Sequence, residues 1–229
     1  MKGHIVLEGG AEFGGKMAAP DRRSIDLAGG ADATISIIPA AAAPDHNDQR
    51  AGEHGVRWFR SLGAKNVILL PLVDSISAND PAVAAMLLNS RLIYLLGGFT
   101  HHLGSALAGS LSLNAMLGAY QSGAVISGSS AGAMVLCEHY FDPEAGQTRP
   151  GLNFIPNACV IPHHDSVGRR WAPRLAALLP DVLLIGIDEQ TGMVDDAPDG
   201  AWSVHGKGSV TLYRNNSPQV FLPGQLFSL

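Results

Sequence analysis

The centre of the sequence reads Val125-Ile126-Ser127-Gly128-Ser129-Ser130-Ala131-Gly132-Ala133-Met134. An apolar run typical of a buried strand leads into the pattern Gly-x-Ser-x-Gly, and a helix-forming segment follows at once. This context indicates a nucleophile elbow, the sharp strand-to-helix turn that exposes a reactive serine. The glycines permit the tight turn, and the start of the helix favours developing negative charge. We therefore predict that Ser130 is a nucleophile.

Short apolar runs recur outward from this stretch. Each is closed by a turn residue, as expected for strands buried in a sheet: 5–7, 34–38, 67–70, 92–96 and 124–126. Helical patterns lie between or after them, at 50–62, at 81–88 behind the cap Asp80-Pro81, and at 169–179. The alternation predicts an α/β fold, a doubly wound and mostly parallel sheet with helices on both faces.

The pattern changes after residue 183. Short strands follow one another at 183–187, 192–194, 201–205 and 209–213, separated by turns such as Arg214-Asn215-Asn216. We expect them to add an antiparallel C-terminal edge to the sheet. No linker or internal repeat divides the chain, so we expect residues 1–229 to form one domain.

Composition limits the classes of function. Hydrophobic residues make up 46% and charged residues 15%, which is typical of a compact enzyme, and the net charge of −5 argues against nucleic acid or an anionic membrane as partner. Cys137 and Cys159 make neither a disulfide framework nor a metal spacing. The first apolar run is too short for a signal peptide, and no run approaches the roughly 18 apolar residues of a membrane span. We expect a cytoplasmic protein.

A serine nucleophile needs a base, and two histidines are well placed for it. His163 and His164 follow the apolar run 158–161, which reads as the next strand. A parallel sheet brings the carboxyl ends of its strands to one edge, so Ser130 and this pair can meet there. A histidine bonded only to its own loop is the structural alternative. The short distance in sequence from serine to histidine excludes the usual α/β-hydrolase layout.

A pair of glycines, Gly97-Gly98, ends the strand that precedes the nucleophile strand. Such a pair lets backbone N–H groups point at a ligand. We predict an oxyanion hole from the amides of Gly98 and Ala131. A plain strand-ending turn is the alternative.

Several motifs in the same order resemble one family. They are Leu7-Glu8-Gly9-Gly10-Ala11-Glu12, Ile38-Pro39-Ala40-Ala41, Gly97-Gly98, Gly128–Ala133, Ile161-Pro162-His163 and Ile185–Thr191. The chain resembles the cyanophycinase and dipeptidase E family of serine peptidases over nearly its whole length. The resemblance implies a fold like that of class I glutamine amidotransferases and a Ser–His–acid triad without metal or organic cofactor. His163 takes the base position, and His164 stands where the family has an aromatic residue.

The resemblance places the acid of the triad between the nucleophile helix and the histidine strand, where Asp142 and Glu144 both lie. We predict Asp142, with Glu144 in reserve, and Glu189 if neither acts. The family usually has Asp-Gln or Gly-Asn where this chain has Phe99-Thr100. We expect these two residues to contact the substrate.

The expected substrate is a short peptide with an aspartyl or isoaspartyl residue on the acyl side. Beyond the resemblance, this expectation rests on Arg170 and Arg174, which lie one helical turn apart. A guanidinium reads a carboxylate in two contacts. A solvated helix face is the alternative for these arginines.

Two other functions compete with a serine peptidase. His101-His102 and His163-His164-Asp165 could supply ligands for zinc in a metal-dependent hydrolase. Adjacent histidines on a strand point to opposite faces, however, and we expect no metal. A non-catalytic binding or regulatory protein could use the same scaffold. The sequence leaves open the exact substrate and whether the protein is a monomer or a homodimer.

Overall fold

The computed structural model describes residues 2–214 and 217–229. Its strands are β1 (Ile5–Glu8), β2 (Thr34–Ile38), β3 (Asn66–Leu69), β4 (Leu92–Leu95), β5 (Val125–Ser129), β6 (His139–Asp142), β7 (Gln147–Pro150), β8 (Ala158–Ile161), β9 (Leu183–Ile187), β10 (Thr191–Val194), β11 (Trp202–Gly206), β12 (Val210–Arg214), β13 (Ser217–Phe221) and β14 (Leu226–Phe227). Its α-helices are α1 (Ala18–Leu27), α2 (Asp48–Ser61), α3 (Pro81–Leu88), α4 (Thr100–Leu107), α5 (Leu111–Gln121), α6 (Ala131–Leu136) and α7 (Ala172–Leu178).

The largest sheet has the strand order β14-β11-β10-β1-β5-β4-β2-β3. The five strands from β1 to β3 in this order are parallel, and β10, β11 and β14 are added antiparallel beside β1. The predicted α/β class, with a mostly parallel sheet and an antiparallel edge, is confirmed.

The histidine strand does not lie in this sheet, contrary to the prediction. β8 pairs in parallel with β9, and β12 and β13 extend them into a separate four-stranded sheet. The physical reason is that the nucleophile strand β5 already lies between β1 and β4, and β10 occupies the other side of β1, so β8 finds no free edge in this part of the sheet. β6 and β7 form a hairpin of their own.

The two faces of the large sheet carry separate apolar clusters. Along β1, Ile5 and Leu7 belong to one cluster and Val6 to the other, as the alternation of side chains on a strand requires. The first cluster includes residues of α3, α5, α6 and the second sheet, and the other includes residues of α1 and α2. Helices therefore cover both faces, as predicted.

Two of the predicted helices show how proline sets a helix start. α3 begins at Pro81, and the Asp80 side chain accepts a hydrogen bond from the Ala82 amide at 2.8 Å. The helix predicted at 169–179 is divided into a 3₁₀ turn, Gly168–Trp171, and α7. Pro173 lacks an N–H donor and is tolerated only in the first turn, so the α-helix begins at Ala172.

Two further predictions concern a turn near residue 215 and the expected lack of a membrane-spanning helix. The turn predicted at Arg214-Asn215-Asn216 falls partly outside the described residues. Within those residues, no helix combines the length and the apolar character that crossing a membrane requires.

Candidate active site

Ser130 occupies the turn between β5 and α6. Its backbone has φ 49° and ψ −111°, a conformation that non-glycine residues rarely adopt and that is typical of strained turns at functional sites. Close packing explains Gly132, because a Cβ atom there would lie 2.2 Å from the Leu95 carbonyl oxygen. The strand, the strained serine and the helix have the geometry of a nucleophile elbow.

His163 is in hydrogen-bonding distance of the serine and of an acid. The Ser130 Oγ atom lies 2.9 Å from His163 Nε2, and His163 Nδ1 lies 2.9 Å from Glu189 Oε1. The histidine and glutamate side chains are 28% and 40% exposed, so the site is open to a ligand. Serine, histidine and glutamate are thus arranged in a line, as a nucleophile, its base and an acid are in acyl transfer.

The predicted acids, Asp142 and Glu144, are not the partners of His163. Asp142 is buried in the β6–β7 hairpin, where it accepts hydrogen bonds from Arg149 Nε at 2.8 Å and from the Ala145 amide at 3.2 Å. Burial raises the pKa of Asp142, but Arg149, the Ala145 amide and His101 together outweigh it, and the pKa is lowered overall. The segment expected to be a loop is a hairpin that binds its own acid, and this corrects the prediction.

Glu189 carries a sequence signal only once the pairing of β8 with β9 is known. His163 lies two positions after the end of β8, and Glu189 lies two positions after the end of β9. The two strands are parallel neighbours with Ile161 opposite Gly186, so the segments that follow them run side by side and bring these side chains within reach of each other.

Three successive carbonyl groups at the end of β1 hold these segments in place. The Glu8 carbonyl accepts from the Ser130 amide at 3.0 Å, that of Gly9 from the His163 amide at 2.8 Å, and that of Gly10 from the Gln190 amide at 3.1 Å. Ser130, His163 and Gln190 all have positive φ angles, of 49°, 49° and 54°. The end of β1 therefore acts as a backbone template on which nucleophile, base and acid segments are anchored.

The predicted oxyanion-hole amides lie beside the nucleophile. Gly98 follows β4 with φ 135°, and a Cβ atom there would lie 2.3 Å from the Ala41 carbonyl oxygen, so only glycine fits. Ala131 is the first residue of α6. In the stretches that the structure describes, neither of these amides donates to a protein acceptor, which leaves both available to a ligand.

A small cavity of about 170 Å³ opens next to Gly98. Its lining consists of Gly98, Phe99, Thr100, His101, Asp142, Pro143 and Glu144. Phe99 is half-buried, whereas Thr100 is buried with its hydroxyl 3.7 Å from Met134 Sδ. Phe99 is thus better placed than Thr100 to touch a substrate, and both assignments stay predictions.

The two predicted arginines differ in their surroundings. Arg170 is exposed in the 3₁₀ turn after His163. Arg174 donates a hydrogen bond to the Gly146 carbonyl, and its guanidinium lies over the Phe141 ring at 5.6 Å from the centroid. Arg174 therefore fastens α7 to the β6–β7 hairpin, and Arg170 is the freer of the two.

His164 has a different role from its neighbour. It is completely buried, with Nε2 2.7 Å from the Tyr213 hydroxyl and Nδ1 3.4 Å from Asp188 Oδ1. Asp188 Oδ2 in turn accepts from the amide and the hydroxyl of Ser209. A second histidine–acid pair therefore lies directly behind the first and joins β8, β9 and β12.

The histidine pairs considered as metal ligands do not converge. His101 Nδ1 lies 3.0 Å from the Tyr140 hydroxyl, and His102 Nε2 lies 2.7 Å from the Val73 carbonyl. Over residues 2–214 and 217–229, no three His, Cys, Asp or Glu side chains are grouped as a metal ion would require.

A buried acid pair under the site was not foreseen from the sequence. Glu8, the last residue of β1, accepts a hydrogen bond from the Tyr94 hydroxyl at 2.6 Å, and Asp21 accepts one from Trp58 Nε1 at 2.7 Å. Burial raises the pKa of Glu8 well above its usual range and that of Asp21 to about 7. We infer that the pair holds a proton near neutral pH.

The chain is similar to known proteins both in sequence and in fold. The family model for Peptidase family S51 matches residues 5–194. A cyanophycinase of Geminocystis herdmanii is 30% identical over 224 residues, which cover 93% of this chain and 80% of that protein. A cyanophycinase of Synechococcus elongatus is 31% identical over 225 residues, covering 92% and 68%. The crystal structure of a peptidase from an acI-B1 Actinobacterium superposes with a TM-score of 0.88 at 27% identity, covering 100% of this chain and 98% of that one.

Proposed function

The chain belongs to peptidase family S51 and is a serine-type peptidase, and from this premise we propose that it cleaves short peptides with an aspartyl or isoaspartyl residue on the acyl side. The observation that carries the proposal is the line Ser130–His163–Glu189, with 2.9 Å at each step. We take these three residues as the catalytic triad.

In the first half-reaction, Ser130 Oγ attacks the carbonyl carbon of the substrate while His163 Nε2 accepts the serine proton. The Glu189 carboxylate, at Nδ1, holds the imidazole in the required tautomer and stabilises its cation. The amides of Gly98 and Ala131 bind the negative oxygen that develops on the former carbonyl. His163 then gives its proton to the departing nitrogen, which leaves an acyl-enzyme ester on Ser130.

In the second half-reaction, water replaces the departed amine. His163 accepts a proton from the water as it attacks the ester, and the same two amides bind the second oxyanion. Release of the acid product returns the proton to Ser130. Serine, histidine, acid and amides suffice for every step.

The acidic preference rests on Arg170, which is exposed in the turn that follows the base. Its guanidinium can bind a substrate carboxylate in two contacts, which a lysine cannot reproduce. The relatives are named cyanophycinases, and this name favours peptides related to cyanophycin as substrates. The bulk of Phe99 beside the small cavity at Gly98 favours a small dipeptide over a polymer.

The test compares hydrolysis of Asp-Leu, isoaspartyl-Leu, Asn-Leu and Ala-Leu. We expect the first two to be cleaved with a kcat/KM at least about tenfold higher, and Arg170→Ala to remove the preference. Arg22→Ala, at an exposed position in α1, serves as the matched control. Equal rates on all four peptides would contradict acidic recognition and leave the serine mechanism in place.

The proposal also includes the surroundings in which the peptidase works. Cys137 and Cys159 are free and buried, which favours a reducing compartment such as the cytoplasm. Whether the enzyme acts as a monomer or as the homodimer considered from the sequence is decided by its mass in solution.

A further inference from the structure

The loop after β1 carries an acid, Glu12, that the triad does not use. Its Oε1 atom accepts a hydrogen bond from the Gly97 amide at 3.3 Å. A methyl group built on Gly97 would lie 3.0 Å from Glu12 Oε2 and 3.2 Å from the Cβ atom of Ser130. The carboxylate therefore lies beside the nucleophile, one residue from the predicted oxyanion amide of Gly98.

Glu12 lines a surface cavity together with Arg50 and Arg57, but neither guanidinium lies within ion-pair distance of its carboxylate. In the described part of the chain, no lysine or arginine forms an ion pair with Glu12. Burial raises the pKa of Glu12, and the neighbouring Ser129 hydroxyl, the Gly97 amide and His163 act against that rise. A negative charge this close to the oxyanion hole would oppose the charge that develops there. A positive group on the substrate would remove the conflict.

The backbone on both sides of Glu12 is held in a fixed, strained form. Ala11 and Phe13 have φ angles of 57° and 62°, in the left-handed region. Phe13 is buried, with its ring 5.5 Å from that of Tyr94 and 6.5 Å from that of Phe59. Packing of Phe13 thus aims the intervening side chain at the nucleophile.

We propose that Glu12 binds the free ammonium group of the acyl-side residue, so that the enzyme requires an unblocked amino terminus. The proposal rests on the proposed function, because it needs the acyl carbon at Ser130. In an aspartyl peptide the amino nitrogen is two bonds from the acyl carbon, and in an isoaspartyl peptide it is three bonds away. Either ammonium group therefore lies close to the carbon that Ser130 attacks, within reach of a carboxylate beside the nucleophile.

The first experiment measures kcat/KM for Asp-Leu and N-acetyl-Asp-Leu with the wild type and Glu12→Gln. The glutamine keeps an oxygen for the Gly97 amide and removes only the charge. We expect the wild type to prefer the free amine by at least about 100-fold, and the variant to lose at least about tenfold on that peptide alone. Glu53→Gln, an exposed acid in α2, is the matched control and should behave as the wild type. An equal loss on both peptides would overturn the proposal in favour of a merely structural role.

A second experiment does not require turnover. A fluorophosphonate probe labels Ser130, and bound dipeptide should protect it. We expect Asp-Leu to protect the wild type at a concentration at least about tenfold lower than N-acetyl-Asp-Leu, and this difference to vanish in Glu12→Gln. Repeating the protection measurement with Ala-Leu and N-acetyl-Ala-Leu separates ammonium binding from acidic recognition. If acidic recognition fails, the free amine should still protect better than the acetylated one. Equal protection by free and acetylated peptides in the wild type would overturn the proposal that Glu12 binds the ammonium group.

Discussion

His163 and Glu189 follow two neighbouring parallel strands, β8 and β9, and Glu189 Oε1 lies 2.9 Å from His163 Nδ1. The separate small sheet thus supplies the proposed base and acid together, while the large sheet supplies the proposed nucleophile. The site is a junction between two sheets. The end of β1 fixes the position of one sheet relative to the other, because its carbonyl groups bind backbone amides from both.

Replacing Ser130 by Ala should lower kcat by at least about 1000-fold without unfolding the protein, because triad members act as a unit. Peptide hydrolysis and circular dichroism measure the two effects. Ser127→Ala is the matched control, since this buried β5 hydroxyl has no partner among the described residues. Retention of more than about a tenth of the activity in Ser130→Ala would remove Ser130 from the mechanism.

Glu189→Gln should reduce kcat/KM by at least about 100-fold, because a neutral amide cannot stabilise the His163 cation. Asp142→Asn should change it by less than about tenfold and should lower the melting temperature, since it weakens the contact with Arg149. Steady-state kinetics and thermal melts of both variants decide which of the two carboxylates acts in catalysis. A larger kinetic loss in Asp142→Asn than in Glu189→Gln would restore the acid first predicted from the sequence.

His164→Ala and His163→Ala should have opposite effects on stability and catalysis. The first empties a fully buried position and leaves the Tyr213 hydroxyl without its partner, so we expect a loss of about 2–3 kcal/mol, or about 5–10 °C in Tm. The second should abolish turnover and cost less than about 1 kcal/mol. Thermal melts beside initial rates test this, and a stable but inactive His164→Ala would exchange the two roles.

The Glu8–Asp21 pair predicts that stability decreases as the pH rises. Burial raises the pKa of Asp21 to about 7, whereas an unfolded Asp titrates near about 4. Between these values the native protein holds a proton that the unfolded chain releases, so the free energy of unfolding falls through this window. Asp21→Asn keeps an acceptor for Trp58 and provides a donor for Glu8. We expect Asp21→Asn to reduce the fall in the free energy of unfolding across this pH window by on the order of 2 kcal/mol.

Urea unfolding at pH values from about 5 to about 8 measures this change in slope. Burial also raises the pKa of Glu12, so we expect a residual slope in Asp21→Asn. Asp26→Asn, an exposed position in the same helix, should leave the slope unchanged. Parallel curves for the wild type and Asp21→Asn would show that the pair does not hold the proton.

The sequence was sufficient for those parts of the fold that depend on local signals. Apolar runs closed by proline located β2 and β8, and a further apolar run located β9, at the bounds that the structure has. The pattern around Ser130 located the elbow for the same reason, since strand, turn and helix are contiguous there. Strand pairing was harder, because the edge that β8 occupies depends on β10, which comes later in the chain.

The site was less predictable where a side chain has a nearer partner. Asp142 lies where the family resemblance places an acid, but Arg149, seven residues on, binds it. Arg174 likewise contacts the hairpin through Gly146 and Phe141. Glu12 ends the motif Leu7–Glu12, but the motif assigns this residue no chemical role. Its position beside Ser130 comes from two strained neighbours, whose backbone angles a sequence does not reveal.

The three carbonyl groups at Glu8, Gly9 and Gly10 have a consequence for the order of assembly. They lie near the start of the chain, whereas the amides that they accept belong to Ser130, His163 and Gln190. Contacts between residues so distant in sequence form late, because a long loop must close before they stabilise anything. During synthesis, the carbonyl groups at the end of the first strand therefore cannot all be bound until the chain has emerged from the ribosome beyond Gln190. Only then does the growing chain become an enzyme.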